Sequence, residues 1–302
     1  SVFAYAQDLF RALETDQLTL ADLRHSSQSV YGDLILARAE RFRKQHEASS
    51  ALEDRFKALA DRGWDHFKAI LETPLGGIVF TAHPTFALSP AVRSSFAAHV
   101  SANTANSAQA LRDAVQEDGR AWSKSISLLG EHEEAQDTIT NAQNALTAYA
   151  KRVLDFARQA FPDQWRTLKL SVPTLASWVG YDLDGRTDIH WSQSFALRLQ
   201  EKAVQLSRYA TELRELANAA NGDTSQALNA LSEKLEAAAA LTEAEADIFS
   251  EDLTQPDNLV RAANQLTAEQ PDRVVSAQPI IDVLTKLAAG ESNDALARDL
   301  LA

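Results

Sequence analysis

Cysteine is absent from the 302-residue sequence, which excludes a disulfide framework, a Cys-ligated zinc site and a cysteine nucleophile. Methionine is absent as well, where a chain of this length carries on the order of six. Either the protein uses none beyond an initiator, or modified methionines are missing from the sequence and some spacings run short. An intact mass above 33.0 kDa would show the second case. Glycine and proline are scarce, 10 and 8 residues, and they cluster, which leaves long stretches free for helices. No apolar run approaches the roughly 18 residues that span a bilayer; Gly76 to Ala82 is among the longest. Ser1 to Asp8 has no basic region ahead of an apolar core, so it does not read as a signal peptide. Cations are in deficit: 29 Lys and Arg against 42 Asp and Glu give a net charge of −13. That balance argues against a partner that is nucleic acid or an anionic membrane, since either needs a basic footprint. At 45% hydrophobic and 24% charged, the composition is that of a globular protein with room for one large domain or two. The expected location is the cytoplasm.

Helical periodicity dominates. From Ser26 to Leu71, apolar residues such as Val30, Leu34, Phe42, Phe56, Leu59, Phe67 and Ile70 recur at helical spacing, predicting two long helices broken near Ser49-Ser50 or at Gly63. Further helices are predicted over Pro90 to Val100, Ser107 to Val115, Trp122 to Ala160 with a break near Gly130, and Ile189 to Ala220. Beyond Ser225 the sequence reads as four shorter helices with stop signals at Pro256, Pro271, Pro279 and Gly290. Only Gly77 to Thr81 and Val172 to Val179 look like strands. Two strands make no stable sheet alone, so they form either a hairpin on helices or part of a sheet completed by other chain. The expected fold class is mainly α, long helices with a few short strands.

The least helical places hold the candidate chemistry. Thr81-Ala82-His83-Pro84-Thr85 follows the first strand, and Ser89-Pro90 then opens a helix with an N-cap serine and a first-turn proline. His83 is thereby placed on a loop at the C-terminal end of a strand, where α/β architectures put ligands and catalytic side chains; Arg93 lies in the first turn of the next helix. The second place is Ser177-Trp178-Val179-Gly180-Tyr181-Asp182-Leu183-Asp184-Gly185-Arg186-Thr187-Asp188. It fails as an EF-hand, because Gly185 falls at the fourth position where the sixth is required and Gln193 stands where a bidentate Glu is needed. As plain structure it is a turn at Asp184-Gly185 with Asp188 capping a helix. His25, His46, His66, His99 and His132 lie in helical patterns without His-Glu-x-x-His spacing, and Glu131-His132-Glu133-Glu134 reads as a solvated face. No P-loop, nucleophile elbow or dinucleotide fingerprint occurs.

Taken together, the two loops resemble a known family. Phe80-Thr81-Ala82-His83-Pro84-Thr85 is similar to the Leu-Thr-Ala-His-Pro-Thr motif of phosphoenolpyruvate carboxylases, and Ser177 to Arg186 is similar to their Ser-Trp-x-Gly-Gly-Asp-Arg-Asp-Gly-Asn loop, in the same order. The resemblance implies a helical protein around an eight-stranded α/β barrel, usually an oligomer, of which residues 1–302 match the N-terminal region. It also implies the reaction of bicarbonate with phosphoenolpyruvate to give oxaloacetate and phosphate, with Mg²⁺ or Mn²⁺ as cofactor. On it, His83 is catalytic through proton handling at the carboxyphosphate step, and Arg93, Asp182, Asp184 and Arg186 bind or order the substrate. The departures are Tyr181 for the second Gly, Leu183 for the Arg and Arg186 for the Asn. The family's metal carboxylates, lysine and Arg-Gly-Gly loop have no match in these residues, so the chain is expected to be a fragment lacking the catalytic C-terminal half and inactive alone. The alternative is a non-catalytic helical interaction or regulatory domain that kept the fold. Phosphotransfer through a phosphorylated His83 is a third reading, without a phosphate cradle nearby to support it.

Overall fold

The computed structural model describes residues 2–48, 52–80, 88–118, 127–181 and 189–302. Among these, 12 helices account for a mainly helical structure, 76% helix, with one two-stranded parallel sheet. The chain divides into two compact units, residues 1–55 with 82–126, and residues 56–81 with 127–302.

The first unit contains α1 (Val2–Glu14), α2 (Leu20–Ala48), α5 (Pro90–Ala102) and α6 (Ala105–Glu117). Ile35 and Ala39 of α2, Val92 of α5, and Leu111 and Val115 of α6 form its core. Ser89 caps α5 as its sequence predicts, its side chain accepting from the Val92 N–H with Pro90 in the first turn. A left-handed Asn103 (φ 47°) closes α5, and a reciprocal cap between Thr104 and Ser107 opens α6. His99 is buried between these helices, Nδ1 2.8 Å from Ser107 Oγ and Nε2 3.4 Å from Glu40 Oε1. Nδ1 is hydrogen-bonded, whereas Nε2 faces the Glu40 carboxylate without a hydrogen bond.

The second unit comprises the end of α3 (Leu52–Ala60), α4 (Trp64–Leu71), β1 (Gly77–Phe80), α7 (Leu128–Ala160), β2 (Thr174–Ser177), α8 (Trp191–Ala219), α9 (Gly222–Ser250), α10 (Pro256–Thr267), α11 (Gln278–Gly290) and α12 (Asp294–Leu301). Two 29-residue helices, α8 and α9, form an antiparallel hairpin around Leu206, Ala210, Leu213, Leu228, Leu235 and Ala238. Small residues let the backbones approach, and Ser232 Oγ donates 2.7 Å to Ala210 O across the seam. Around the C-terminal end of α7, the rings of Phe56, Trp64, Phe67, Phe156 and Phe161 pack with centroids 5.2–6.2 Å apart, an arrangement that stabilises beyond simple area burial.

Several sequence expectations need correction. The helix α9 is as long as α8, because the alanine-rich tract offers no stop before Pro256. Gly130 breaks nothing; it lies in the first turn of α7, where Ser127 accepts from its N–H. His190 caps α8, its ring accepting from the Ser192 N–H; Asp188, the expected cap, lies outside the described residues. The two strands form no hairpin. They pair in parallel, Gly77 with Thr174 through Phe80 with Ser177, across a long connection that contains α5, α6 and α7.

Candidate functional site

Register in the β1–β2 pair is fixed at both ends. At the entrance, the Ser171 N–H donates 2.9 Å to Leu71 O and the Leu75 N–H donates 3.3 Å to Ser171 Oγ. At the exit, Ser177 Oγ donates 3.0 Å to Phe80 O and accepts from the Val179 N–H at 3.2 Å. One hydroxyl thus ties the last residue of β1 to the first turn after β2. Gly77 is needed for close pairing, since a Cβ there would stand 2.8 Å from Thr174 Oγ1. Because the strands are parallel and end opposite each other, Phe80 and Ser177, the first residues of the two motifs, lie side by side at the C-terminal edge of the sheet. Ser177→Ala is expected to destabilise the protein by about 1–3 kcal/mol, because the buried Val179 N–H loses its acceptor; a denaturant titration measures it.

The described part of the second loop is a tight turn. The Tyr181 N–H donates 2.8 Å to Trp178 O, Gly180 has φ +89°, and a Cβ on it would meet Leu197 Cδ1 at 2.5 Å. Ser194 Oγ of α8 donates 2.6 Å to Gly180 O. Glycine is required here for its backbone and for its missing side chain. Gly180→Ala is expected to cost about 2 kcal/mol or more, combining a strained φ with overpacking; circular-dichroism melting would read it, and an unchanged melting temperature would contradict this packing.

Beyond the turn lies a polar cluster that the sequence does not announce. His132 Nε2 donates to Glu201 Oε1 at 3.1 Å, Gln136 Nε2 donates to the same oxygen at 3.0 Å, and Arg198 Nη1 donates to Glu201 Oε2 at 3.1 Å. The Arg198 guanidinium carbon stands 5.9 Å from the Tyr181 ring centroid, within cation–π range. The buried Tyr181 hydroxyl lies beside the Glu201 carboxylate without a well-formed hydrogen bond to it. Burial first, and then that carboxylate, push the phenol well above its ordinary value. Burial would raise Glu201 as well, but the interactions from His132, Tyr181 and Arg198 prevail and hold it below the usual carboxylate value. Glu131, His132 and Glu134 are buried, so the expected solvated face is wrong. Of the four residues only Glu133 is exposed, and His132 finds its partner 69 residues away on α8.

A cleft of about 500 Å³ adjoins the cluster and runs along β2 to its last residue, Ser177. Gln136, Gln143, Arg198, Glu201, Lys202 and Gln205 supply much of its polar wall. Hydrogen bonds between α7 and α8 continue along this seam, with Gln143 donating to Gln205 at 2.8 Å and Arg208 donating to Gln143 at 2.6 Å.

Of the site residues expected from sequence, His83, Asp182, Asp184 and Arg186 lie outside the described residues. Arg93 is half-buried in the first turn of α5, in the first unit. Sequence reasoning missed Arg198, Glu201 and Lys202. Their i, i+3, i+4 spacing on the helix that follows the motif loop was the available signal. Among the described residues no group of three or more His, Asp or Glu is placed to hold a metal ion, so the Mg²⁺ or Mn²⁺ of the resemblance finds no ligand set there. No described helix is long and apolar enough to cross a membrane. The chain matches no protein-family model, no curated protein and no solved structure.

Proposed function

We propose that this chain is the N-terminal region of a phosphoenolpyruvate carboxylase-like enzyme, cytoplasmic and oligomeric, whose barrel, metal ligands and remaining anion contacts come from chain outside these 302 residues. The observation that carries the reading is the parallel, in-register pairing of Phe80 with Ser177. It sets Phe80 and Ser177, the first residues of the two motifs, side by side, although the motifs are about a hundred residues apart in sequence. The openness of the sheet supports the same reading. Ile78 and Val79 point to opposite faces and are 46% and 53% exposed, whereas parallel sheets are ordinarily covered on both faces. A two-stranded parallel pair is marginal alone and fits a larger sheet.

In the proposed reaction a bicarbonate oxygen bonds to phosphorus as the phosphorus–enol oxygen bond breaks, giving carboxyphosphate and the enolate of pyruvate. Carboxyphosphate loses CO₂ to leave phosphate, and C3 of the enolate bonds to that CO₂, giving oxaloacetate. His83 takes up the proton that the carboxyphosphate carboxyl must lose, a task suited to an imidazole titrating near neutrality. When bound, a divalent cation would supply charge neutralisation of substrate and enolate. The assay that tests the reading is bicarbonate-dependent oxaloacetate formation from phosphoenolpyruvate by the whole gene product.

A second reading, a helical interaction domain, is favoured by α1, which leaves Phe3, Tyr5 and Phe10 about two-thirds exposed. Absence of turnover by the whole gene product, together with loss of self-association on changing these three residues to Ser, would favour it.

A further inference from the structure

The geometry points to Arg198 and Lys202 as the anion-binding residues of this site, taking the phosphate or carboxylate of the substrate in the cleft beside β2; the inference rests on the phosphoenolpyruvate reading. Charge distribution is the first ground. The protein carries 42 acidic and 29 basic residues, yet among the described residues the charged ones lining this cleft are Arg198, Lys202 and Glu201. The single carboxylate is already engaged by His132, Gln136 and Arg198, so the cleft presents a surplus of positive charge in an otherwise acidic molecule.

Preorganisation is the second. The Arg198 side chain is 73% exposed, yet its guanidinium is held on one side by Glu201 and lies near the Tyr181 ring. Glu201 is fixed in turn by two side chains from α7. An arginine so braced loses little freedom when its remaining N–H groups bond an oxyanion, and its planar fork suits phosphate and carboxylate. Lys202, half-buried on the next position of the same face, makes no ion pair among the described residues and adds a second point charge. Glu201, His132 and Gln136 are positioning residues: Glu201 holds Arg198, and His132 and Gln136 hold Glu201.

Location is the third. The cleft reaches Ser177, which joins the ends of both strands, and Tyr181 directly precedes the Asp182–Arg186 segment in sequence. The two departures from the family's loop then make sense together. Leu183 removes a guanidinium from the loop, and Tyr181, in place of a glycine, provides the ring against which Arg198 supplies one from α8.

The test is equilibrium binding of phosphoenolpyruvate, and separately of inorganic phosphate, to the whole gene product by calorimetry without bicarbonate. Arg198→Gln and Lys202→Gln are each expected to weaken phosphoenolpyruvate binding roughly 10- to 100-fold, the loss of one charge-assisted contact, with Arg198→Lys intermediate. Glu201→Gln is expected to raise KM more than it lowers kcat, an effect that general loss of packing would not produce. Melting temperatures within a few degrees of the parent would show that the variants fold; Lys202→Gln, which breaks no hydrogen bond among the described residues, serves if Arg198→Gln does not. If phosphoenolpyruvate binds and both variants bind it equally well, the inference falls while the proposed reaction stands. If phosphate binding depends on Arg198 and Lys202 but no carboxylation occurs, the anion site stands and the reaction falls. Failure of the parent to bind either anion overturns the inference.

Discussion

Arg273→Ala is expected to destabilise the second unit by about 3–5 kcal/mol, the cost of leaving a buried carboxylate without its partner. Glu245 is 2% exposed and is paired by Arg273 Nη2. The same guanidinium donates to the carbonyls of Gln265, Leu266 and Ala268, so it also closes the C-terminus of α10. Removing it strands one charge and three carbonyl oxygens together. Arg273→Ala with Glu245→Leu should recover part of the loss, because an apolar side chain tolerates the site better than an unpaired carboxylate. Denaturant unfolding reads both variants. A cost below about 1 kcal/mol for the single change would show that the pair is solvated and this part of the packing wrong.

His83→Asn is expected to lower carboxylation by the whole gene product at least 100-fold. A positioned general acid or base contributes ~10²–10⁴-fold, and asparagine keeps the size and polarity of the ring but cannot exchange a proton near neutrality. The loss should fall on kcat, since proton transfer belongs to the chemical step and not to substrate capture. Equal kcat in the variant would remove His83 from the mechanism. A raised KM with unchanged kcat would make it a binding residue.

Periodicity made most of the helices legible, because an amphipathic stripe such as Leu206, Leu213 and Leu216 is written in one continuous segment. Ser89-Pro90 announced its helix start for the same local reason. What was not legible depends on partners distant in sequence. The strand pairing joins residues 97 apart through the Ser177 hydroxyl, and no local pattern distinguishes a parallel pair from a hairpin. Glu131-His132-Glu133-Glu134 looks solvated in sequence because the partner of His132, Glu201, lies 69 residues away. Cap choice failed at α8 for a subtler reason: Asp188 is the better N-cap by type, but the helix begins at Trp191 and His190 stands in the position that must accept. The motif loops were found through resemblance, whereas Arg198, Glu201 and Lys202 came to light only when the helix following the second loop was placed beside β2.

The proposed function is the joining of bicarbonate to phosphoenolpyruvate through carboxyphosphate. Oxygen tracing tests it most directly. With bicarbonate fully labelled in ¹⁸O, the whole gene product should release inorganic phosphate carrying one labelled oxygen per turnover, because the bond broken in carboxyphosphate leaves the attacking oxygen on phosphorus. Phosphate without label, or no bicarbonate-dependent phosphate release at all, would contradict the account.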